Sequence, residues 1–204
     1  MEIQKGIFTV LLFLGYLILW YIKRKELLKS DGIDARVINK AEKPIQKYFS
    51  SLEKVMTVSI ALIIAAHILF YGHTVLTNPM INLNYFMIDL SGFIIGLSGL
   101  VLCRVAQVTI GKSWRVGIDE SARPGLITIG IYNYIRNPTY TGLFILCAGV
   151  WIINPTVLFS FWILAFFLMM EFQVRCEEEY LENQYGDVYI EYFKRTKRYI
   201  PFLT

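Results

Sequence analysis

YTGLFILCAGVWIINPTVLFSFWILAFFLMM, residues 140–170, is the stretch on which the fold turns. It holds no charged side chain, yet it is too long for one ordinary helical span of a hydrocarbon layer about 30 Å thick. Asn154-Pro155 cuts it in two. Proline lacks a backbone donor and disfavours a helical conformation in the residue before it. In an apolar run, such a break is satisfied by ending one helix and beginning another. The stretch therefore predicts two shorter helices joined by a tight turn.

Three more apolar runs lie upstream. Residues 6–22 (GIFTVLLFLGYLILWYI) are free of charge and end at Lys23-Arg24-Lys25. With no basic leader and no small-residue cleavage site, they are expected to be a span of about 25 Å and not a cleaved leader. Residues 55–76 hold only His67 and His73 as groups that ionise near neutrality, and residues 83–103 hold Asp89 as their one charged group. The expectation is five spans, the last two a helical hairpin.

Composition agrees. Of 204 residues, 55% are broadly apolar, 15% aromatic and 18% charged, against about 25% charged in an average soluble domain. Mean hydropathy is +0.49. Length and composition exclude a disordered chain, a repeat array and a disulfide-stapled secreted module. The net charge of +4 invites a nucleic-acid partner, but nineteen of the twenty basic residues fall in alternate loops: 23–54, 104–136 and 175–198. Under the positive-inside rule this predicts the amino terminus outside, with both polar loops and the carboxyl tail in the cytoplasm. No nucleic acid is expected as partner; the lipid bilayer is.

Several features read as structure. Gly92-x-x-x-Gly96, followed by Gly99, lies in an apolar run with no preceding strand, which points to close helix packing and not to a phosphate loop. His67 and His73 are six apart, off a common helix face, and no carboxylate or cysteine stands near at metal-ligand spacing, so no metal is expected. Cys103, Cys147 and Cys176 are scattered, without a CxxC pattern. Part of 23–54, rich in both charge signs, is expected to lie on the membrane surface as an amphipathic helix.

Two polar segments carry the candidate chemistry. Residues 123–142 contain two Gly turns, two Pro, Tyr132, Tyr134 and Tyr140, and Arg136. Pro138 stands at the helix start, where a missing N–H costs nothing. A helix start attracts a carboxylate, and tyrosines around it face a cation; a membrane-entry turn with an aromatic belt reads equally well. The second segment follows the last span: Glu171, Arg175 and Glu177-Glu178-Glu179. If the helix continues, Arg175 and Glu179 share a face one turn apart, Glu178 is adjacent and Glu177 faces elsewhere. An Arg near the bilayer suits a carboxylate or phosphate ligand; a solvated helix with an Arg–Glu pair is the plainer reading.

Together the segments resemble the signature of the isoprenylcysteine carboxyl methyltransferase family, with the related phospholipid N-methyltransferases. The resemblance rests on Arg136-Asn137-Pro138-Thr139-Tyr140-Thr141-Gly142 before the hairpin. After it come Glu177-Glu178-Glu179-Tyr180-Leu181, Tyr185-Gly186, Tyr189, Tyr192 and Pro201. It covers residues 112–201. It implies an all-α, polytopic integral membrane enzyme that binds S-adenosyl-L-methionine in a cytoplasmic carboxyl-terminal region, with S-adenosylhomocysteine as product. The chain is then one membrane domain, 1–204. Residues 1–110 carry spans 1–3 and the cytoplasmic loop, and residues 111–204 form the catalytic half. By position, Leu126, Ile127, Tyr132, Asn137, Pro138, Thr139, Tyr140, Glu177 and Glu178 would bind the cofactor, and Arg175 and Arg136 would serve the acceptor. Two positions depart from the family: Asn137 stands where the family has His, and the family's Arg position falls on Gln173.

The implied reaction is esterification of a carboxylate on a lipophilic, prenylcysteine-type substrate. A carboxylate is ionised at neutral pH, so no general base is needed, and a fixed Arg offsets its desolvation. The rivals are a phospholipid or amine N-methyltransferase, which needs a base to deprotonate an ammonium, and a non-catalytic membrane scaffold or transporter. A lipid reductase is a third, without a nicotinamide signal.

Overall fold

The computed structural model describes residues 2–35, 44–81, 85–115, 117 and 125–201. Among them are six α-helices: α1 (Glu2–Asp31), α2 (Pro44–Phe70), α3 (Phe86–Ile110), α4 (Pro138–Ile153), α5 (Val157–Tyr185) and α6 (Asp187–Arg195). Four of these, α1, α2, α3 and α5, are long and apolar enough to cross a membrane. Apolar α4 has 16 residues, about 24 Å of helix. It is held short by Pro138 at its first turn and by Asn154-Pro155 at its end. Thr156 restarts the chain as the amino-terminal cap of α5, accepting from the Phe159 N–H at 3.4 Å. Of the stretch 23–54, where a surface helix is expected, 23–31 are the last turns of α1 and 44–54 the first of α2, while 36–43 lie outside the described residues.

Glycines set the packing. α4 lies mainly against α3: a Cβ on Gly142 would stand 2.6 Å from the Gly99 carbonyl, and one on Gly92 would stand 2.8 Å from the Gly149 carbonyl. Gly96 also takes Leu12 of α1, which a Cβ there would meet at 2.6 Å. Without side chains between them the backbones approach closely, the usual way apolar helices pack in lipid. The outer face of α3 is the reverse of a soluble helix: Ile94, Leu97, Val101, Val105 and Val108 form an exposed stripe at helical spacing.

Helices α1–α5 alternate in direction, so the bundle has two ends. At the end where α4 stops, a polar cluster is sealed inside. The Lys5 ammonium bonds Asp89 Oδ1 at 2.5 Å and the Ile153 carbonyl at 2.9 Å, with Lys5 and Asp89 both fully enclosed. Asn154 Nδ2 donates to Thr9 Oγ1 at 2.7 Å, and His67 Nε2 pairs with Thr156 Oγ1 at 2.8 Å. Each polar group meets another, as burial requires.

Candidate active site

At the opposite end α1, α3 and α5 finish and α4 begins. Helix α5 does not stop at the edge of its apolar run but continues unbroken to Tyr185, so Glu171, Gln173, Glu177 and Glu178 stand on its last four turns. Gly186, at φ +54°, then breaks direction into α6; a residue with a Cβ is rare there.

The segment after α6 returns to the start of α4. Lys197 N donates to the Tyr134 carbonyl (3.2 Å), Arg136 N to that of Lys197 (2.7 Å) and Asn137 N to that of Arg198 (3.1 Å). Ile135 and Lys197 form a parallel bridge. The carboxyl-terminal strap therefore backs the Arg136–Tyr140 motif along its whole extended entry. Below it Tyr192, buried, donates its hydroxyl to the Tyr132 carbonyl at 2.8 Å; burial pushes the Tyr192 phenol up to about 12 and raises that of Tyr132 as well.

Glu178 is the hub of this region. Its Oε1 accepts from Arg136 Nε (3.1 Å) and Asn137 Nδ2 (3.0 Å), and its Oε2 from Arg198 Nη2 (2.6 Å). Arg136 also donates Nη1 to the Phe193 and Thr196 carbonyls and lies over the Phe193 ring, 3.9 Å from its centre. Arg198 reaches on to Glu171 Oε1 at 2.9 Å, and the Tyr199 hydroxyl donates to Glu171 Oε2. Burial raises the worth of each of these charge-assisted bonds.

Glu177 does something else. Tyr140 Oη and Gln173 Nε2 both donate to its Oε1 at 2.8 Å, while Oε2 takes no donor among the described residues. It stands on the wall of a cavity of about 360 Å³, within the usual range for a small-molecule site. Leu126, Ile127, Tyr132, Asn137, Pro138, Thr139 and Tyr140 line the same cavity, as do Arg136 and Gln173. Glu178 does not line it; it sits behind Arg136 and Asn137, holding both. Arg175 is outside too. Its side chain is 64% exposed and pairs with Glu171, not with Glu179 as the one-turn spacing predicts. The acceptor role expected of Arg175 is thereby corrected: a helix turns 100° per residue, so Arg175, two positions on from Gln173 on the wall, falls on the outer face.

Three features went unread in the sequence. Arg115, just past α3, brings a guanidinium to the cavity wall and donates to the Lys112 and Trp114 carbonyls. Arg198 clamps Glu178 from beyond α6. The cavity's apolar wall runs far into the bundle, past Phe49 and Met56 of α2 and Phe166 and Trp162 of α5. Lone Arg residues carry no motif, and facing aromatics are indistinguishable from core in a single chain.

The fold is a bundle of apolar helices around one deep cavity, and a family model bears on its class. The model described as phospholipid methyltransferase matches residues 87–188, half of the chain, and the chain belongs to that family. Its relatives carry a narrower name. Protein-S-isoprenylcysteine O-methyltransferase B of Arabidopsis thaliana is 30% identical over 107 residues, covering 50% of this chain and 54% of that protein. The Schizosaccharomyces pombe protein-S-isoprenylcysteine O-methyltransferase is 37% identical over 82 residues, covering 38% and 34%, and that of Homo sapiens 32% over 108, covering 50% and 37%. The chain matches about half, or less, of the length of these curated relatives. A solved structure of the eukaryotic intramembrane Ras methyltransferase ICMT (isoprenylcysteine carboxyl methyltransferase) shares the fold, at a TM-score of 0.51 and 22% identity. That match covers 79% of this chain and 54% of the other.

Proposed function

We propose that the chain is an S-adenosyl-L-methionine-dependent methyltransferase that esterifies the carboxylate of a lipophilic, prenylcysteine-type acceptor. The observation that carries the reading is the Tyr140–Glu177–Gln173 junction. It joins the two motif segments, 37 residues apart, on the wall of one cavity whose wall deeper in the bundle is mostly apolar. The residues fit the donor. Glu177 Oε2, without a donor among the described residues, is an acceptor for an ammonium, Asn137 presents an amide, and Tyr132 and Tyr140 offer aromatic faces to a cation or a base. When bound there, S-adenosyl-L-methionine supplies an electrophilic methyl group.

The chain's own part is placement and desolvation. Glu178 fixes Arg136 and Asn137, the strap holds the entry to α4, and Tyr140 with Gln173 fixes Glu177 in one rotamer. Preorganisation of this kind removes the entropy of bringing an acceptor oxygen into line. Arg115 is the guanidinium proposed to meet the acceptor carboxylate, offsetting its loss of water. The proposed setting is five spans with α4 as the short fourth, the amino terminus outside and the cavity's polar mouth in the cytoplasm. Nineteen basic residues in alternate loops support it.

A lipid-amine acceptor is the second reading, favoured by one observation: Arg136 is committed to Glu178 and two carbonyls, and the carboxylate of Glu177 faces the cavity. The test is detergent-purified protein with methyl-labelled S-adenosyl-L-methionine, offered a prenylated cysteine and phosphatidylethanolamine. Base-labile label on the cysteine compound is expected. Base-stable label on the amine selects the second reading, and no label on either removes both.

A further inference from the structure

The cavity runs on from its polar mouth into the bundle. Along α5 its wall extends from Glu177 to Phe159, about 27 Å of helix axis at 1.5 Å per residue. Ile64 of α2 and Thr9 of α1 stand at the same depth. These three residues also line a second cavity of about 350 Å³ at the far end, bounded by Lys5, His67 and Asn154. They are therefore a partition between two spaces. Phe159 is fully enclosed, and its ring lies 4.5 Å from that of His67. Around the second cavity stand the buried polar pairs: Thr9 with Asn154, His67 with Thr156, Lys5 with Asp89.

We propose that Phe159 and Ile64 are a floor that limits the length of the apolar tail the acceptor carries, the occupant being a linear isoprenoid chain whose carboxylate end stands at the polar mouth beside Arg115. The inference rests on the acceptor reading above. Below Gln173 the wall leaves about 21 Å of axis. An extended chain advances about 1.2 Å per backbone bond, which gives about 17 bonds, or four isoprene units. A longer chain must displace Phe159 and Ile64 before it reaches the second cavity. The two pack in one apolar cluster with Ile60 and Ile63, and Phe159 lies against the His67 ring. Forcing packed side chains aside costs more than burying a methylene gains.

The test uses S-alkylated N-acetylcysteines with one to five isoprene units on the full chain saturated with S-adenosylhomocysteine. Binding is read from Trp20 and Trp162, which line the cavity, and methyl transfer is read separately. Affinity is expected to rise to four units and fall about tenfold at five. Phe159→Ala and Ile64→Ala each extend the limit by one unit, Ile60→Phe shortens it by one, and S-adenosylhomocysteine binding reports that each variant is folded. A limit that stays at four units in all folded variants, or wild-type affinity with no limit, overturns the proposal. The reaction fails separately: a length limit in binding without base-labile label keeps the floor and discards the esterification, and label at every length without a limit does the opposite.

Discussion

The bundle holds two polar clusters, one at each end, built from similar residues in similarly apolar surroundings. At the Asn154 end, Lys5, Asp89, Thr9, His67 and Thr156 answer one another's hydrogen bonds. At the motif end, Arg136, Glu178 and Arg198 are just as well engaged, but among the described residues Glu177 takes both its bonds on one oxygen, on the wall of an open cavity. Buried charge alone therefore does not mark a site. An acceptor left over, beside space for a ligand, does.

The contrast is sharpest under mutation. Asp89→Ala strands the Lys5 ammonium inside the bundle and is expected to destabilise by about 3–5 kcal/mol in an SDS-unfolding titration. Adding Lys5→Met should recover most of that loss, because an apolar pair replaces a purely structural one. If the double variant is as unstable as the single one, the far cluster does more than hold helices together.

Glu178→Ala tests the hub. It leaves Arg136 buried without its carboxylate and should destabilise by about 2–3 kcal/mol, with weaker S-adenosylhomocysteine binding because Arg136 and Asn137 lose their common anchor. Arg198→Ala removes the strap's hold from a side chain that is 26% exposed. About 1–2 kcal/mol is expected, again with reduced binding and with partial rescue by Arg198→Lys. Unchanged cofactor affinity in both would make the strap a passive tail. Arg175→Ala should do least. Its exposed pair with Glu171 contributes under about 0.5 kcal/mol, and turnover on carboxylate acceptors should stay near wild type, whereas Arg115→Ala depresses it.

Much of this was legible in one chain. Asn154-Pro155 predicts the break between α4 and α5, and Pro138 the start of α4. The Gly92–Gly99 spacing predicts a close helix contact, though not that all three glycines lie against α4 while Gly96 also takes Leu12 of α1. Helical spacing puts Glu177 on another face from Glu178 and Glu179, but which of the faces meets the cavity depends on the azimuth of α5, which only tertiary packing sets. The strap pairs through backbone atoms of Tyr134–Asn137, a contact with no side-chain signature across 60 residues. Lys5 was visible as the one basic residue outside the alternate loops, and Asp89 as the one acid in its run. Their meeting required the fold.

The central claim is that Glu177 closes one cofactor-binding cavity between the motif segments. Calorimetric titration of S-adenosylhomocysteine into wild-type and Glu177→Ala protein tests it most directly. A loss of about 10- to 100-fold in affinity is expected, the worth of a charged hydrogen bond, with an unfolding midpoint near that of wild type. Equal affinities would place the donor elsewhere and contradict the account.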